Sequence, residues 1–161
     1  MGLELVVLWC GRRSRDRYEE LCGDYRERIG HWVPVRELVV RSRSAAADPD
    51  RLRDEAEALR SAVPRGAWTV ALDRQGTTVS SRELAQQMRR WRAEWSQPVA
   101  FLLGSDLGLD RPLLAECRQV LSLGPLTLPH AIARLVLFEQ LYRALSIDSG
   151  LRYHRELSDG S

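Results

Sequence analysis

Hydrophobic and polar residues along the chain form two alternating kinds of segment. Short, nearly continuous apolar runs occupy residues 3–9, 33–40, 68–73, 98–104 and 119–124. Runs of this kind are typical of strands whose two faces are both covered. The segments between them carry apolar residues at helical spacing, which predicts helices. The alternation predicts an α/β fold, a mainly parallel sheet flanked by helices, in a single domain over residues 1–161.

Three of the segments between strands have identifiable helix signals. Residues 15–29 are highly charged but place their apolar side chains on one stripe, which predicts an amphipathic helix. Asp48 followed by Pro49 predicts an N-cap with proline in the first turn. Ser80 and Glu83 have the spacing of a capping box. The helix that follows them has apolar residues at spacings of four, three and four, namely Leu84, Met88, Trp91 and Trp95.

The segment that begins at His130 is apolar on almost all sides, which predicts a helix shared between the core and a subunit interface. In helical projection His130 and Arg134 lie on one face, whereas Glu139 and Arg143 lie on the opposite face at the spacing of an ion pair. A guanidinium at Arg134 needs an anion, a carbonyl cluster or a partner chain. For His130, a capping role at the helix start and a role in a pocket are both open.

Ligands of parallel sheets bind at the carboxyl ends of the strands, where loops leave the sheet. Three predicted loops meet this condition, at residues 72–77, 104–109 and 123–130. None carries the Gly-Lys-Ser/Thr of a phosphate-binding loop, and neither a G-x-G-x-x-G nor a G-x-S-x-G motif is present. What remains is transfer from an already activated donor, which needs a shaped pocket, backbone donors and a few cationic groups.

Composition restricts the class of protein further. Hydrophobic residues make up 44% of the 161 residues and charged residues 29%, as in ordinary globular domains. No apolar run reaches the roughly 18 residues of a membrane span, and the arginines follow the N-terminal apolar run, which predicts a cytoplasmic protein. The three cysteines and three histidines are scattered, which predicts neither disulfides nor a metal site. All 24 basic residues are arginine, a side chain suited to phosphate, but the net charge of +2 does not select nucleic acid.

The segment LTLPHAIARLVLFEQLYRALSI at 126–147, followed by YHRE at 153–156, resembles the ribosomal RNA large subunit methyltransferase H family of SPOUT methyltransferases. Upstream, LDRQGTTVSSRELAQQM at 72–88 and FLLGSDLGL at 101–109 are similar to two further motifs of that family, in the same order. The first strand and the helix after it are similar in spacing. The resemblance therefore extends over essentially the whole chain.

This resemblance implies a SPOUT fold with a C-terminal trefoil knot, and a homodimer whose pocket lies at the subunit interface. It implies S-adenosylmethionine as cofactor, N3 methylation of a pseudouridine in 23S rRNA of the large ribosomal subunit as the reaction, and no metal or membrane partner. The residues implied in cofactor binding are Leu72, Gly104, Leu123, Gly124, Pro125, Leu126, Thr127 and Leu128. Those implied on the RNA side are Arg134, Arg143, Tyr153 and His154.

Of these residues, His154 is expected to accept the N3 proton directly or through water, because an imidazole titrates near neutral pH. Arg134 or Arg143 is expected to stabilise the negative charge left on the base.

Two features depart from the family pattern. A paired glycine after the fourth strand is replaced by Gly104-Ser105, so a side chain stands where backbone could approach the cofactor. The chain also continues past YHRE with LSDGS. These departures keep a second interpretation open, a SPOUT-fold dimer that binds ribosomal RNA without methylating it, and a third, methylation of a different RNA.

Overall fold

The computed structural model describes residues 2–41 and 48–153. Within these residues strands and helices alternate along the chain. They are β1 (Leu5–Cys10), α1 (Arg17–Gly30), β2 (Val35–Val40), α2 (Asp48–Ala62), β3 (Trp68–Thr78), α3 (Ser81–Glu94), β4 (Val99–Leu103), α4 (Arg111–Glu116), β5 (Gln119–Ser122) and α5 (His130–Asp148). None of the helices described is both long and apolar enough to cross a membrane.

The strands pair in parallel, in the order β2-β1-β4-β3-β5. Every residue of β1 and β4 is buried, because helices cover both faces of the sheet. Helices α1, α3 and α5 pack on one face, over a core that includes Phe101, Met88 and Phe138. Helices α2 and α4 pack on the other face, around Leu59 and Leu102. The α/β class and the mainly parallel sheet flanked by helices are thus confirmed.

Helices α1 and α3 each begin at a side-chain cap. Asp16 accepts a bond from the Glu19 backbone N–H at 3.0 Å, so α1 begins at Arg17 rather than at residue 15. The capping box is confirmed, since Ser80 and Glu83 each accept a bond from the other's backbone N–H. Trp95, the last residue of the predicted apolar stripe, is the C-cap of α3, which ends at Glu94.

Two elements differ from the sequence prediction. Helix α4 was not predicted because it has only six residues; the Asp110 carboxylate caps it by accepting from the Leu113 N–H at 2.9 Å. Strand β3 continues through Thr78, so the predicted loop at 72–77 lies within the strand. The polar sequence of that segment hides its pairing, which is made with a strand about 45 residues later.

The pairing of β3 with β5 is irregular. Leu121 of β5 pairs with both Leu72 and Thr77 of β3. In a straight strand those two residues would be about 16 Å apart, so the chain between them must bulge out of the ladder for both to pair with one residue. Gly76 lies in this bulge, and a Cβ there would be 2.8 Å from the Val120 carbonyl carbon. Only glycine lets the two backbones approach so closely.

Candidate functional site

A cavity of about 740 Å³ opens at the carboxyl edge of the sheet, between residues 72–74 within β3 and the loops after β4 and β5. All three segments were predicted from the sequence as ligand-binding loops, although the first lies within a strand. Of the residues implied in cofactor binding, the cavity is lined by Leu72, Gly104, Leu123, Gly124, Leu126, Thr127 and Leu128, whereas Pro125 does not line it. Its further lining residues are Asp73, Arg74, Leu103, Ser105, Asp106, Leu107, Gly108, Pro129, His130 and Ala133.

The loop after β4 is a tight turn that depends on two glycines. Gly108 has a φ of +75°, a conformation that side chains disfavour, and its N–H donates to the Ser105 carbonyl at 3.0 Å. A Cβ on Gly104 would lie 2.3 Å from the Gly108 carbonyl carbon. The turn therefore closes against its own first residue and presents backbone to the cavity.

Ser105, the departure from the family pattern, is held by protein groups. Its hydroxyl donates to the Glu55 carboxylate of α2 at 2.7 Å and accepts from the Leu107 N–H at 3.2 Å. A second link between α2 and this turn is the bidentate pair of Arg51 with Asp106, at 2.8 and 2.9 Å. Because both side chains of the turn are tied to α2, the serine stabilises one conformation of the loop.

The part of β3 that lines the cavity and the loop after β5 are joined by polar contacts. The Ser122 hydroxyl donates to the Arg74 carbonyl at 3.0 Å and accepts from the Gly124 N–H at the same distance. The Arg74 guanidinium donates to the Thr127 hydroxyl at 2.9 Å. Gly124 itself has a φ of +123°. These contacts fix the wall of the cavity opposite the Gly104 turn.

His130, the first residue of α5, connects that helix to the cavity. Its Nδ1 lies 3.0 Å from the Gly104 carbonyl oxygen, which can only accept, so Nδ1 carries the proton. Burial lowers the pKa of His130 below its ordinary 6.5, although the bond to Gly104 opposes this. Neutral His130 thus has an unprotonated Nε2, and this buried atom has no hydrogen-bond partner among the described residues. Helix α5 has no side-chain cap at Pro129. Of the two roles open for His130, a helix cap and a pocket residue, its place in the cavity wall favours the second.

Arg134 lies one turn further along α5, in a buried ion cluster formed with Glu37, Glu19 and Arg26. Its Nε and Nη2 donate to the Glu37 carboxylate, and Nη2 also donates to Glu19 at 2.5 Å. Burial alone would lower the pKa of Arg134, but its bonds to Glu37 and Glu19 raise it, so the side chain stays charged. Arg26 donates to both carboxylates, which balances the charges. Arg134 is only 5% exposed and has its anions within the protein.

Trp9 links this cluster to the cavity. Its Nε1 donates to Glu37 at 2.7 Å, and its ring stacks at 4.7 Å from the His130 ring. The Arg134 guanidinium lies over the same indole, 5.2 Å from the ring centroid. The residues Glu37, Trp9 and His130 therefore form a continuous chain of contacts from the buried charges to the Gly104 carbonyl.

Arg143 and Tyr153 lie together at the other end of α5. Arg143 donates to Glu139 at 2.5 Å, which confirms the predicted i,i+4 pair, and its guanidinium lies 4.9 Å from the Tyr153 ring. The Tyr153 hydroxyl contacts Glu139 and Tyr25, each at 3.4 Å. Thirteen residues of helix, about 20 Å, separate Arg143 from His130. His154 lies outside the described residues.

Comparisons with known proteins agree on one family. The family profile described as "Predicted SPOUT methyltransferase" matches residues 3–154. The chain is 44% identical to the ribosomal RNA large subunit methyltransferase H of Gluconacetobacter diazotrophicus, over 89% of this chain and 92% of that protein. It is 36% identical to the protein of the same name from Solidesulfovibrio magneticus, over 93% and 97% of the two chains.

Solved structures have the same fold at low sequence identity. A probable methylase family protein of Haemophilus influenzae superposes with a TM-score of 0.51 at 14% identity, covering 98% of this chain and 72% of that one. A probable methyltransferase of Bordetella pertussis superposes with a TM-score of 0.50 at 18% identity, covering 89% and 95%.

Proposed function

Because the chain belongs to the SPOUT methyltransferases, and among them to the ribosomal RNA large subunit methyltransferase H family, we propose that it methylates N3 of a pseudouridine in 23S rRNA with S-adenosylmethionine as donor. The observation that carries the proposal is the cavity at the carboxyl edge of the sheet. Its walls include all the residues that the family resemblance implies in cofactor binding except Pro125. The reaction takes place where 23S rRNA is made and assembled, in the cytoplasm.

The cavity has the size and lining that such a donor requires. Small-molecule pockets span roughly 300 to 1,000 Å³ and are mostly apolar with a few polar groups. Here leucines supply the apolar walls, while Asp73, Arg74 and Thr127 supply charged and polar groups that suit the amino acid portion of the donor. Backbone of the Gly104 turn and of residues 123–128 would hold the remainder. The donor itself supplies an activated methyl group on a sulfonium, so no metal is needed.

The protein must then align the methyl group with N3, exclude water and manage one proton. In this proposal His154 accepts the N3 proton, and Arg143 stabilises the charge left on the base. Tyr153 packs against Arg143 and holds it in place. Arg134 orients α5 through Glu37 and Glu19, because its donors are directed to those carboxylates.

We also propose a homodimer, which the length of α5 supports. Arg143 is about 20 Å from the pocket end of its own helix, so it reaches a methyl donor only if that donor is bound by a second copy. The half-buried apolar residues Ile132, Leu135 and Val136 on α5 suit such an interface. We include in the proposal the trefoil knot that the family resemblance implies, and the irregular pairing of Leu121 with both Leu72 and Thr77 supports it.

The test is transfer of a tritiated methyl group to intact 50S subunits, 70S ribosomes and naked 23S rRNA, followed by nucleoside analysis of the labelled base. We expect N3-methylpseudouridine, and loss of turnover in His154→Ala and Arg143→Ala with donor binding retained. Label at another base, or in another RNA, would contradict the substrate assignment. Full turnover by His154→Ala would show that the proton acceptor is a different group.

The alternative, an RNA-binding dimer without catalysis, was motivated by Ser105. Since the Ser105 hydroxyl is bound by Glu55 and Leu107, the serine is accommodated within the turn. Titration calorimetry with S-adenosylmethionine separates the two functions. Saturable binding is expected, and its absence in the purified protein would favour the alternative.

A further inference from the structure

The segment that connects β1 to α1 carries a concentration of positive charge. Residues 12–17 read RRSRDR, four arginines and one aspartate, which gives 4 − 1 = +3, whereas the whole chain has a net charge of only +2. The charge of this protein is therefore nearly balanced elsewhere and is concentrated in one short connection.

Most of these arginines have no partner among residues 2–41 and 48–153. Arg13 is anchored, since its Nη2 donates to the Glu37 carbonyl at 2.8 Å. Arg12, Arg15 and Arg17 are exposed and make no hydrogen bond or ion pair in the part of the chain that the structure describes. The one acidic residue of the segment, Asp16, accepts from Ser14 and from the N-terminus of α1. It is not paired with the arginines around it.

This connection lies beside the cavity. Trp9, three residues before Arg12, pairs with Leu103 of β4 and its ring contacts the His130 ring, and both Leu103 and His130 line the cavity. Three residues of chain span at most about 11 Å, so the connection leaves the same edge of the sheet as the cavity. The Gly11 N–H donates to the Val40 carbonyl at 3.0 Å, which brings in Arg41, another exposed arginine without a partner among the described residues.

We propose that Arg12, Arg15, Arg17 and Arg41 form a phosphate-binding surface that holds the RNA strand next to the nucleotide being methylated. Guanidinium groups bind phosphate oxygens in pairs, and such contacts fix the register of a nucleic acid without reading its sequence. The inference rests on the proposed function for its ligand. Its geometry stands on the residues themselves, which are exposed arginines without a partner among the described residues, at the same edge of the sheet as the cavity.

The test compares two double variants with the same change in charge. Arg12→Gln/Arg15→Gln removes two cations from the surface. The control, Arg65→Gln/Arg90→Gln, removes two exposed arginines elsewhere, since Arg65 precedes β3 and Arg90 lies on α3. Binding to a 23S rRNA fragment containing the target helix is measured by fluorescence anisotropy from 50 to 300 mM salt. Each lost phosphate contact lowers the slope of log K against log salt by about 0.7 to 0.9.

For the surface variant we expect the slope to fall by about 1.4 to 1.8, and affinity to weaken about 10- to 30-fold near physiological salt. The Kd for S-adenosylmethionine and kcat at saturating RNA stay unchanged, so the loss falls on KM. The control variant keeps the wild-type slope. Equal salt-dependence slopes for the two variants would overturn the inference. Binding of the wild-type protein to vesicles containing phosphatidylserine, but not to the RNA, would overturn it as well.

These outcomes are separable from failure of the proposed function. If the wild type methylates 23S rRNA and Arg12→Gln/Arg15→Gln binds and reacts like the control, the surface is wrong and the function stands. If no RNA is methylated but the surface variant still loses its slope, the function is wrong and the surface stands.

Discussion

Replacing Glu37 with glutamine removes the central charge of the buried ion cluster with little change in volume. The Glu37 side chain is 1% exposed and accepts from Trp9, Arg26 and Arg134. A glutamine keeps one acceptor oxygen but directs an NH₂ group at donors that previously met a carboxylate. Arg134 then loses the closer of its two counter-ions at a site that water does not reach.

The expected cost follows from burial. Removing one partner of a buried ion pair costs about 3 to 5 kcal/mol, because an uncompensated charge is left behind. Glu19 remains bound to Arg134 and Arg26, which places Glu37→Gln near the lower end, about 3 kcal/mol. A domain of this size is typically stable by about 5 to 15 kcal/mol, so the variant should still fold.

The assay is urea denaturation followed by tryptophan fluorescence, at one fixed protein concentration. The matched control is Glu116→Gln. Glu116 also accepts two bonds from one arginine, Arg60, but its side chain is 53% exposed, so its loss should cost about 0 to 1 kcal/mol.

A second variant tests whether the cost comes from the stranded charge. Glu37→Leu/Arg134→Met removes both partners and leaves Glu19 paired with Arg26 at 2.8 Å. Its free energy of unfolding should recover to within about 1 to 2 kcal/mol of the wild type. The remaining difference comes from the hydrogen bond that Trp9 loses. The reasoning fails if Glu37→Gln costs no more than Glu116→Gln, or if the double variant is less stable than the single one.

Three further predictions concern the cavity. Gly104→Ala places a methyl group 2.3 Å from the Gly108 backbone, so the turn must open. We expect a loss of about 1 to 3 kcal/mol in stability and a raised Kd for S-adenosylmethionine by calorimetry. An unchanged Kd would show that the turn does not form the donor site. Ser105→Ala and Glu55→Gln should each weaken donor binding, with a coupling energy of about 1 kcal/mol in a double-mutant cycle, whereas additive effects would mean that their hydrogen bond does not hold the loop. Burial holds the pKa of His130 in the folded protein below its ordinary 6.5. Between these two pKa values the unfolded chain binds one more proton than the folded protein. The contribution of His130 to stability is therefore complete above about pH 6.5 and is lost as the pH falls toward the folded-state pKa. His130→Gln should flatten this dependence in urea titrations between pH 5 and 8, while the exposed His31→Gln should retain it, and identical curves for the two variants would refute the assignment.

Local signals in the sequence predicted the elements whose causes are local. The Ser80–Glu83 capping box and the Glu139–Arg143 pair each join residues three or four positions apart, and both are present. The pocket loops followed from a general rule, that parallel strands end at one edge of the sheet. Contacts between distant residues could not be predicted in this way. Glu37 was hidden in an apolar run, and its partner Arg134 is 97 residues away.

The same distinction explains the links between α2 and the Gly104 turn. Ser105 was noticed as a departure from the family pattern, but its effect depended on Glu55, 50 residues earlier on a helix packed on the other face of the sheet from α5. The one available signal for Glu55 was a carboxylate within the buried stripe of a predicted helix. For Glu37 it was an acidic residue inside a predicted strand, a placement that requires a buried cationic partner.

The double pairing of Leu121 has a consequence for how the protein is made. The bulge of β3 leaves the ribosome well before β5, and the walls of the cavity come from residues 72, 104 and 123–130. A nascent chain therefore completes this cavity only after the start of its last helix has emerged and β5 has paired with β3. Until then the edge of β3 stays unpaired and the sheet face that α5 covers stays exposed, which leaves the chain open to aggregation and proteolysis. A chain that stops before α5 should therefore be inactive, because it lacks one wall of the cavity.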